Sequence, residues 1–210
     1  MTYEEIKYLF DNLPQNYKTK DIDRLNKKLI KEKQNISILK NYVKDNDLYN
    51  RTYFQVSLGI LNTYVEQYEF IEQNALLLND WWHTDQLTQF IEVPDIYFAA
   101  KKATEYIYAE HPFLRRWGYV MFMPTLVKQQ EAFDLITPLF KDDDEYYVQM
   151  AQAWLISYLA IYHPEKTLSY LHTQNLKYNI ISKAIQKILD SYRISDEYKI
   201  KFKEIRKRYY

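Results

Sequence analysis

The sequence contains no cysteine, which excludes disulfide frameworks, thiol catalysis and cysteine-ligated zinc. That usage fits a reducing compartment, and a cytoplasmic location is the expectation. Only 2 glycines occur, where average usage gives roughly 15 in a chain of this length. Such scarcity argues against sandwiches, barrels and Rossmann sheets. With glycine at Gly59 and Gly118 alone, the GxGxxG and GxxxxGK[ST] phosphate loops and the GxSxG nucleophile elbow cannot be built. No stretch approaches about 18 uninterrupted apolar residues, so no membrane span is expected. The opening MTYEEIKYLFDNL has early acids and no apolar segment, so no signal peptide is expected either. His83, His111, His163 and His172 are scattered, with no HExxH and no i,i+4 pair. No histidine metal site is therefore expected.

What remains is 210 residues rich in 22 Tyr, 10 Phe and 4 Trp, a composition that disfavours disorder. The length suits one domain, and residues 1–210 read as a single helical-repeat domain. The 28 basic and 28 acidic side chains cancel, but unevenly along the chain. Basic residues dominate from Lys18 to Arg51 and from Lys183 to Arg208, and acids dominate from Thr63 to Pro112. Each block reads either as a solvated helix face or as part of a protein with basic ends that touch phosphate.

Apolar residues recur every three to four positions almost throughout. The pattern runs through Tyr53–Tyr68 and on to Leu78, then over Asp95–Ala109, Leu114–Val127, Tyr146–Tyr162 and Ile180–Tyr192. Breaks fall at Asn79-Asp80, Val93-Pro94-Asp95, Glu110-His111-Pro112, Asp142-Asp143-Asp144 and His163-Pro164. Pro94, Pro112 and Pro164 mark helix starts, where a missing N–H costs little. Pro124 and Pro138 should kink or end helices. Helices of about 12–17 residues pairing every 40 or so predict an all-α fold of HEAT-like repeats stacked into a curved solenoid. A compact bundle is the plainer alternative. Residues 51–210 carry this repeat pattern, and residues 1–50, polar and Lys/Asn-rich, read as diverged N-terminal helices.

Three segments carry candidate chemistry. In Asp80-Trp81-Trp82-His83-Thr84-Asp85-Gln86, a helix places Trp81 with Asp85 and Trp82 with Gln86. An indole face beside a carboxylate holds a cation, although a core tryptophan pair capped by Asp80 explains the same residues. In Pro112-Phe113-Leu114-Arg115-Arg116-Trp117, adjacent arginines diverge by about 100° around a helix. One suits phosphate and the other an ion pair with a neighbouring helix. The run Asp142-Asp143-Asp144-Glu145 sits at a helix start, where acids favour the dipole. It lacks the alternating ligands and central glycine of a calcium loop.

Taken in order, these segments resemble the DNA alkylation repair family of HEAT-like repeat DNA glycosylases, over residues 53–207. Trp81-Trp82-His83-Thr84-Asp85 is similar to the family's Trp-x-x-x-Asp element, and Phe113-Leu114-Arg115-Arg116 to its Trp-Leu-x-Arg segment. Tyr147–Leu155 resembles the helix bearing a second tryptophan, here Trp154, and His163-Pro164 the turn that follows. The resemblance implies excision of N-alkylated, cationic purines such as 3-methyladenine and 7-methylguanine from duplex DNA, without a metal or organic cofactor. It makes Asp85 the catalytic carboxylate, Trp81 and Trp154 the aromatic contacts to cationic base and sugar, and Arg116, Arg115 and Lys183 the phosphate contacts. The pattern departs at Ser157, where relatives carry arginine, and at Ile180-Ile181-Ser182-Lys183, which keeps one basic residue. The alternative register, Trp82 with Gln86, would leave no catalytic carboxylate. The alternative function is a noncatalytic helical-repeat module that binds DNA or a protein partner through its concave face.

Overall fold

Short polar side chains open five of the α-helices, each by accepting a backbone N–H of the first turn. Thr2 and Thr63 do so within reciprocal capping boxes completed by Glu5 and Glu66. Asn46, Asp80 and Asp95 accept from Leu48, Trp81 and Phe98 at 2.8, 2.6 and 2.8 Å. Pro112 and Pro164 stand first in their helices, whereas Pro94 lies just ahead of the Asp95 cap. A computed structural model describes residues 1–123, 125–173 and 176–207. The expected kink at Pro124 lies outside the described residues.

Among those residues there are twelve α-helices, five short 3-10 segments and no strand, so the fold is all-α. The chain gathers into two compact units, Met1–Glu92 and Val93–Tyr210. The first holds α1 (Tyr3–Asp11), α2 (Thr19–Lys31), α3 (Asp47–Ile60), α4 (Tyr64–Asn74) and α5 (Trp81–Asp85). Its α2 and α3 pack directly on each other. Gly59 permits this approach, because a Cβ there would stand 2.5 Å from Ile30 Cδ1. A buried bond from Asn26 Nδ2 to Gln55 Oε1, 2.7 Å long, crosses the same seam. Tyr3, Phe10, Tyr42 and Tyr49 form an aromatic cluster beneath α1.

The second unit holds α6 (Ile96–Tyr106), α7 (Pro112–Val120), α8 (Ala132–Ile136), α9 (Tyr146–Tyr162), α10 (Pro164–Thr173), α11 (Tyr178–Asp190) and α12 (Asp196–Lys207). The α9 helix is apolar nearly all round, as befits a helix enclosed by others. Val148, Ala151, Ala153, Leu155, Ile156 and Leu159 are all buried, and α7, α10 and α11 pack against it. Sequence neighbours pair as α6 with α7, α9 with α10 and α11 with α12. Contacts of α9 with α7 and with α11 then join one pair to the next. Such linked pairs are compatible with HEAT-like stacking.

Some boundaries differ from the periodicity. The apolar pattern across Tyr53–Leu78 is cut at Leu61-Asn62-Thr63, where Leu61 is extended and Thr63 caps a new helix. The capping box, not hydrophobic spacing, decides that break. Similarly α7 ends at Val120 although the pattern continues to Val127, and a 3-10 turn at Leu126–Lys128 carries the remaining apolar residues inward. Pro138 does end a helix, within the 3-10 turn after α8. Helix lengths run from 5 to 17 residues, shorter than the spacing predicts.

Candidate nucleic-acid interface

In the first unit the site residues lie on α5, a single turn started by Asp80. Trp81 is 45% exposed and Asp85 half-buried, four residues apart on one face. The other register has a different fate. Gln86 is buried, accepts from Arg51 Nη1 at 3.2 Å and donates to Asn50 Oδ1 at 3.0 Å. Arg51 also holds Asp23 through two bonds of 2.8 and 3.0 Å, reaches Gln89 at 3.2 Å, and lies 5.1 Å from the Phe90 ring centroid. Gln86 therefore belongs to a structural network centred on a buried arginine. Arg51, counted in the basic N-terminal block, is a strut of that unit rather than a surface cation.

Trp82 is half-buried and meets His83 edge to face, with centroids 4.2 Å apart. It lines a hollow of about 630 Å³ that also takes in Lys44, Asp47 and Arg51. His83 is buried: its Nδ1 accepts from the Asn79 N–H at 3.3 Å and its Nε2 lies 3.5 Å from Asp47. Burial lowers its pKa below the ordinary histidine value, against the opposing pull of Asp47 and Asp80. The ring is thus a neutral structural element at pH 7.

In the second unit the two arginines of α7 part company. Arg115 holds Asp143 through Nε and Nη2 at 2.7 and 3.1 Å, and its Nη1 reaches the carbonyls of Ala109 and Glu110 at 2.9 and 2.8 Å. This is the ion-pair reading of the adjacent arginines. Arg116 is 4% exposed and donates to the Tyr147 carbonyl at 2.6 Å, tying α7 to the first turn of α9. The acidic run braces the approach to α9, whose N-cap Glu145 makes no side-chain cap bond. Asp143 Oδ1 accepts from the Glu145 N–H, Asp142 accepts from the Lys177 N–H, and Asp144 pairs with Lys177. That pairing lowers the Asp144 pKa and raises that of Lys177. Among the described residues no cluster of three or more His, Asp or Glu is placed to hold a metal ion.

Trp154 sits on α9, half-buried, with Tyr158 one turn on at 6.0 Å between centroids and 77° between planes. Together they wall a hollow of about 530 Å³ whose rim carries Lys187 and Arg193. Lys187 Nζ stands 6.0 Å from the Trp154 ring centroid, and Arg193 Cζ stands 4.7 Å from that of Tyr158. Ser157 lines the same hollow, and its hydroxyl donates to the Trp154 carbonyl at 2.6 Å. Lys183 is exposed on α11, one turn before Lys187. Neither Lys187 nor Arg193 was singled out by motif. The i,i+4 spacing of Trp154 to Tyr158 and of Lys183 to Lys187 was a readable signal; the approach of Arg193 was not, since the turn after α11 sets it.

The chain is thus an all-α protein of paired helices, with an exposed indole near a carboxylate in one unit and a half-buried indole near cations in the other. A family model described as DNA alkylation repair enzyme matches residues 16–188. The chain belongs to that family, which gives it a DNA repair role with DNA as substrate. Comparisons with curated proteins and with solved structures return no significant match. Among the described residues no helix is long and apolar enough to cross a membrane.

Proposed function

We propose that this chain is a DNA glycosylase that releases N-alkylated purines, such as 3-methyladenine and 7-methylguanine, from duplex DNA. The observation that carries the reading is the accessible Trp81/Asp85 face of α5 in a member of the alkylation repair family. Alkylation at a ring nitrogen makes the base cationic and a good leaving group. The C1′–N bond breaks with its electron pair going to the base, which departs neutral. The sugar is left oxocarbenium-like, water adds at C1′, and one proton is released. Asp85 stabilises the sugar charge and orients that water, while Trp81 contacts the cationic nucleotide through its ring face; Trp154, in the second unit, offers an aromatic contact of its own to DNA.

In this proposal exposed Lys183 contacts the backbone. Arg115 and Arg116 act mainly by fixing the start of α7 and its seam with α9, given the partners they already hold. The acidic stretch around α5 favours a second reading, a noncatalytic helical module that binds protein or DNA.

The test is release of 3-methyladenine and 7-methylguanine from methylated duplex, wild type against Asp85→Asn. Wild-type release that falls roughly 10²–10³-fold in a variant with an unchanged circular dichroism spectrum is expected for loss of one electrostatic stabiliser. No release by wild type at high protein concentration selects the noncatalytic module. Undiminished release by the variant removes Asp85 from the chemistry.

A further inference from the structure

We propose that Lys187 and Arg193, on the rim of the Trp154 hollow, form a contact to the phosphodiester backbone of duplex DNA. The inference rests on the reading of this protein as a DNA-acting enzyme and supplies cations that the family motifs do not include. Its starting point is how the surface cations of the second unit are held. Lys166, Lys177, Lys201 and Lys207 each sit within ion-pair distance of a carboxylate: Asp134, Asp144, Glu197 and Glu204 respectively. Lys187 and Arg193 have no such partner among the described residues. Their positive ends lie over aromatic rings, at 6.0 Å from Trp154 and 4.7 Å from Tyr158, whereas Lys166 and Lys201, which also lie over rings, have a carboxylate beside them as well.

The difference has a physical consequence. A ring face orients a cation without neutralising it, whereas a paired lysine must give up its carboxylate before it takes a phosphate. Both groups are exposed and share one hollow of about 530 Å³, so a phosphate can approach without rearrangement. The guanidinium offers a planar fork matched to two phosphate oxygens, and the ammonium offers a compact charge beside it. Lys183, one turn before Lys187 on α11, extends the positive line. Ser157 lines the hollow with its hydroxyl turned onto a backbone carbonyl, so the charge of this wall comes from α11 and the turn after it. One acid faces the hollow, Asp190, with Oδ1 accepting from Gln186 Nε2 at 2.9 Å. It pairs with neither cation and opposes an incoming phosphate.

The experiment is fluorescence anisotropy of the full chain with a short labelled unmodified duplex between 50 and 200 mM NaCl. Each neutralised phosphate contact adds about 0.9 to the magnitude of the slope of log K against log salt. Lys187→Gln and Arg193→Gln are each expected to lower that magnitude by about 0.9, and the double variant by about 1.8. Lys187→Arg and Arg193→Lys should keep the wild-type slope. Asp190→Asn should tighten binding about threefold at 50 mM NaCl, a gain that a merely structural role would not produce. A double variant with wild-type melting temperature and wild-type slope overturns the proposal, as does a wild type whose binding shows no salt dependence. Slopes that fall as expected without any base release uphold this contact and sink the glycosylase reading. Base release that persists with an unchanged slope in the double variant does the reverse.

Discussion

Asp85 and Gln86 are neighbours in sequence with opposite surroundings. The turn of α5 and the 3-10 segment after it leaves the carboxylate half-accessible and drives the amide inward to Arg51 and Asn50. About 100° of helical rotation separates the proposed catalytic position from a structural one. A second glutamine shows what an inward amide costs without such partners. Gln152 on α9 is fully buried, and neither its Nε2 nor its Oε1 finds a hydrogen bond among the described residues. A buried amide of this kind carries an uncompensated desolvation penalty of about 1–3 kcal/mol. Gln152→Met keeps a similar unbranched shape and removes both polar groups. It is expected to raise stability by about 1–3 kcal/mol, read as a higher urea midpoint at unchanged slope; a lower midpoint would mean that the amide is satisfied.

At the scale of elements, caps decide where helices begin, and α4 is the sharpest case. Glu66 accepts from the N–H groups of Asn62 and Thr63 at 3.0 Å each and from the Thr63 hydroxyl at 3.0 Å. The Thr63 hydroxyl bond, followed by the two backbone bonds, lowers the Glu66 pKa below its ordinary value. A carboxyl with a depressed folded-state pKa stabilises the fold above its unfolded value, near 4.5, and that contribution fades as pH falls through the folded value. Thr63→Ala removes the reciprocal cap and is expected to cost about 1 kcal/mol. Urea melts at pH 7 and pH 3 check both statements: the variant should lose less than wild type on acidification. Equal losses would show that the box does not couple to Glu66 ionisation.

At the scale of the whole molecule the 28 basic and 28 acidic side chains cancel. A neutral protein gains no long-range attraction to a polyanion, so DNA binding depends on local cations and not on a global field. The association rate with duplex DNA is therefore expected in the ordinary range of about 10⁵–10⁷ M⁻¹s⁻¹ at 50 mM salt. It should also be only weakly dependent on ionic strength. Stopped-flow fluorescence measures this, and a rate near 10⁸–10⁹ M⁻¹s⁻¹ that collapses with salt would reveal a focused field.

Much of this architecture is written in local sequence. The 3.6-residue periodicity, the scarcity of glycine, the capping residues and the prolines at helix starts act within four or five positions of one another. They suffice for an all-α fold and for the placement of α9, which the pattern over Tyr146–Tyr162 matches end to end. The family motifs were legible for the same reason, since Trp81 and Asp85 share one turn. Which charged groups remain available was not legible. Arg115 finds Asp143, and Arg51 finds Asp23, each across 28 residues of chain. Arg193 meets Tyr158 only because α11 packs on α9 and the turn beyond it folds back. Periodicity gives the direction of a side chain around its own helix axis. It says nothing of what stands opposite, and only packing between helices decides whether a cation meets a carboxylate, a carbonyl or an aromatic ring.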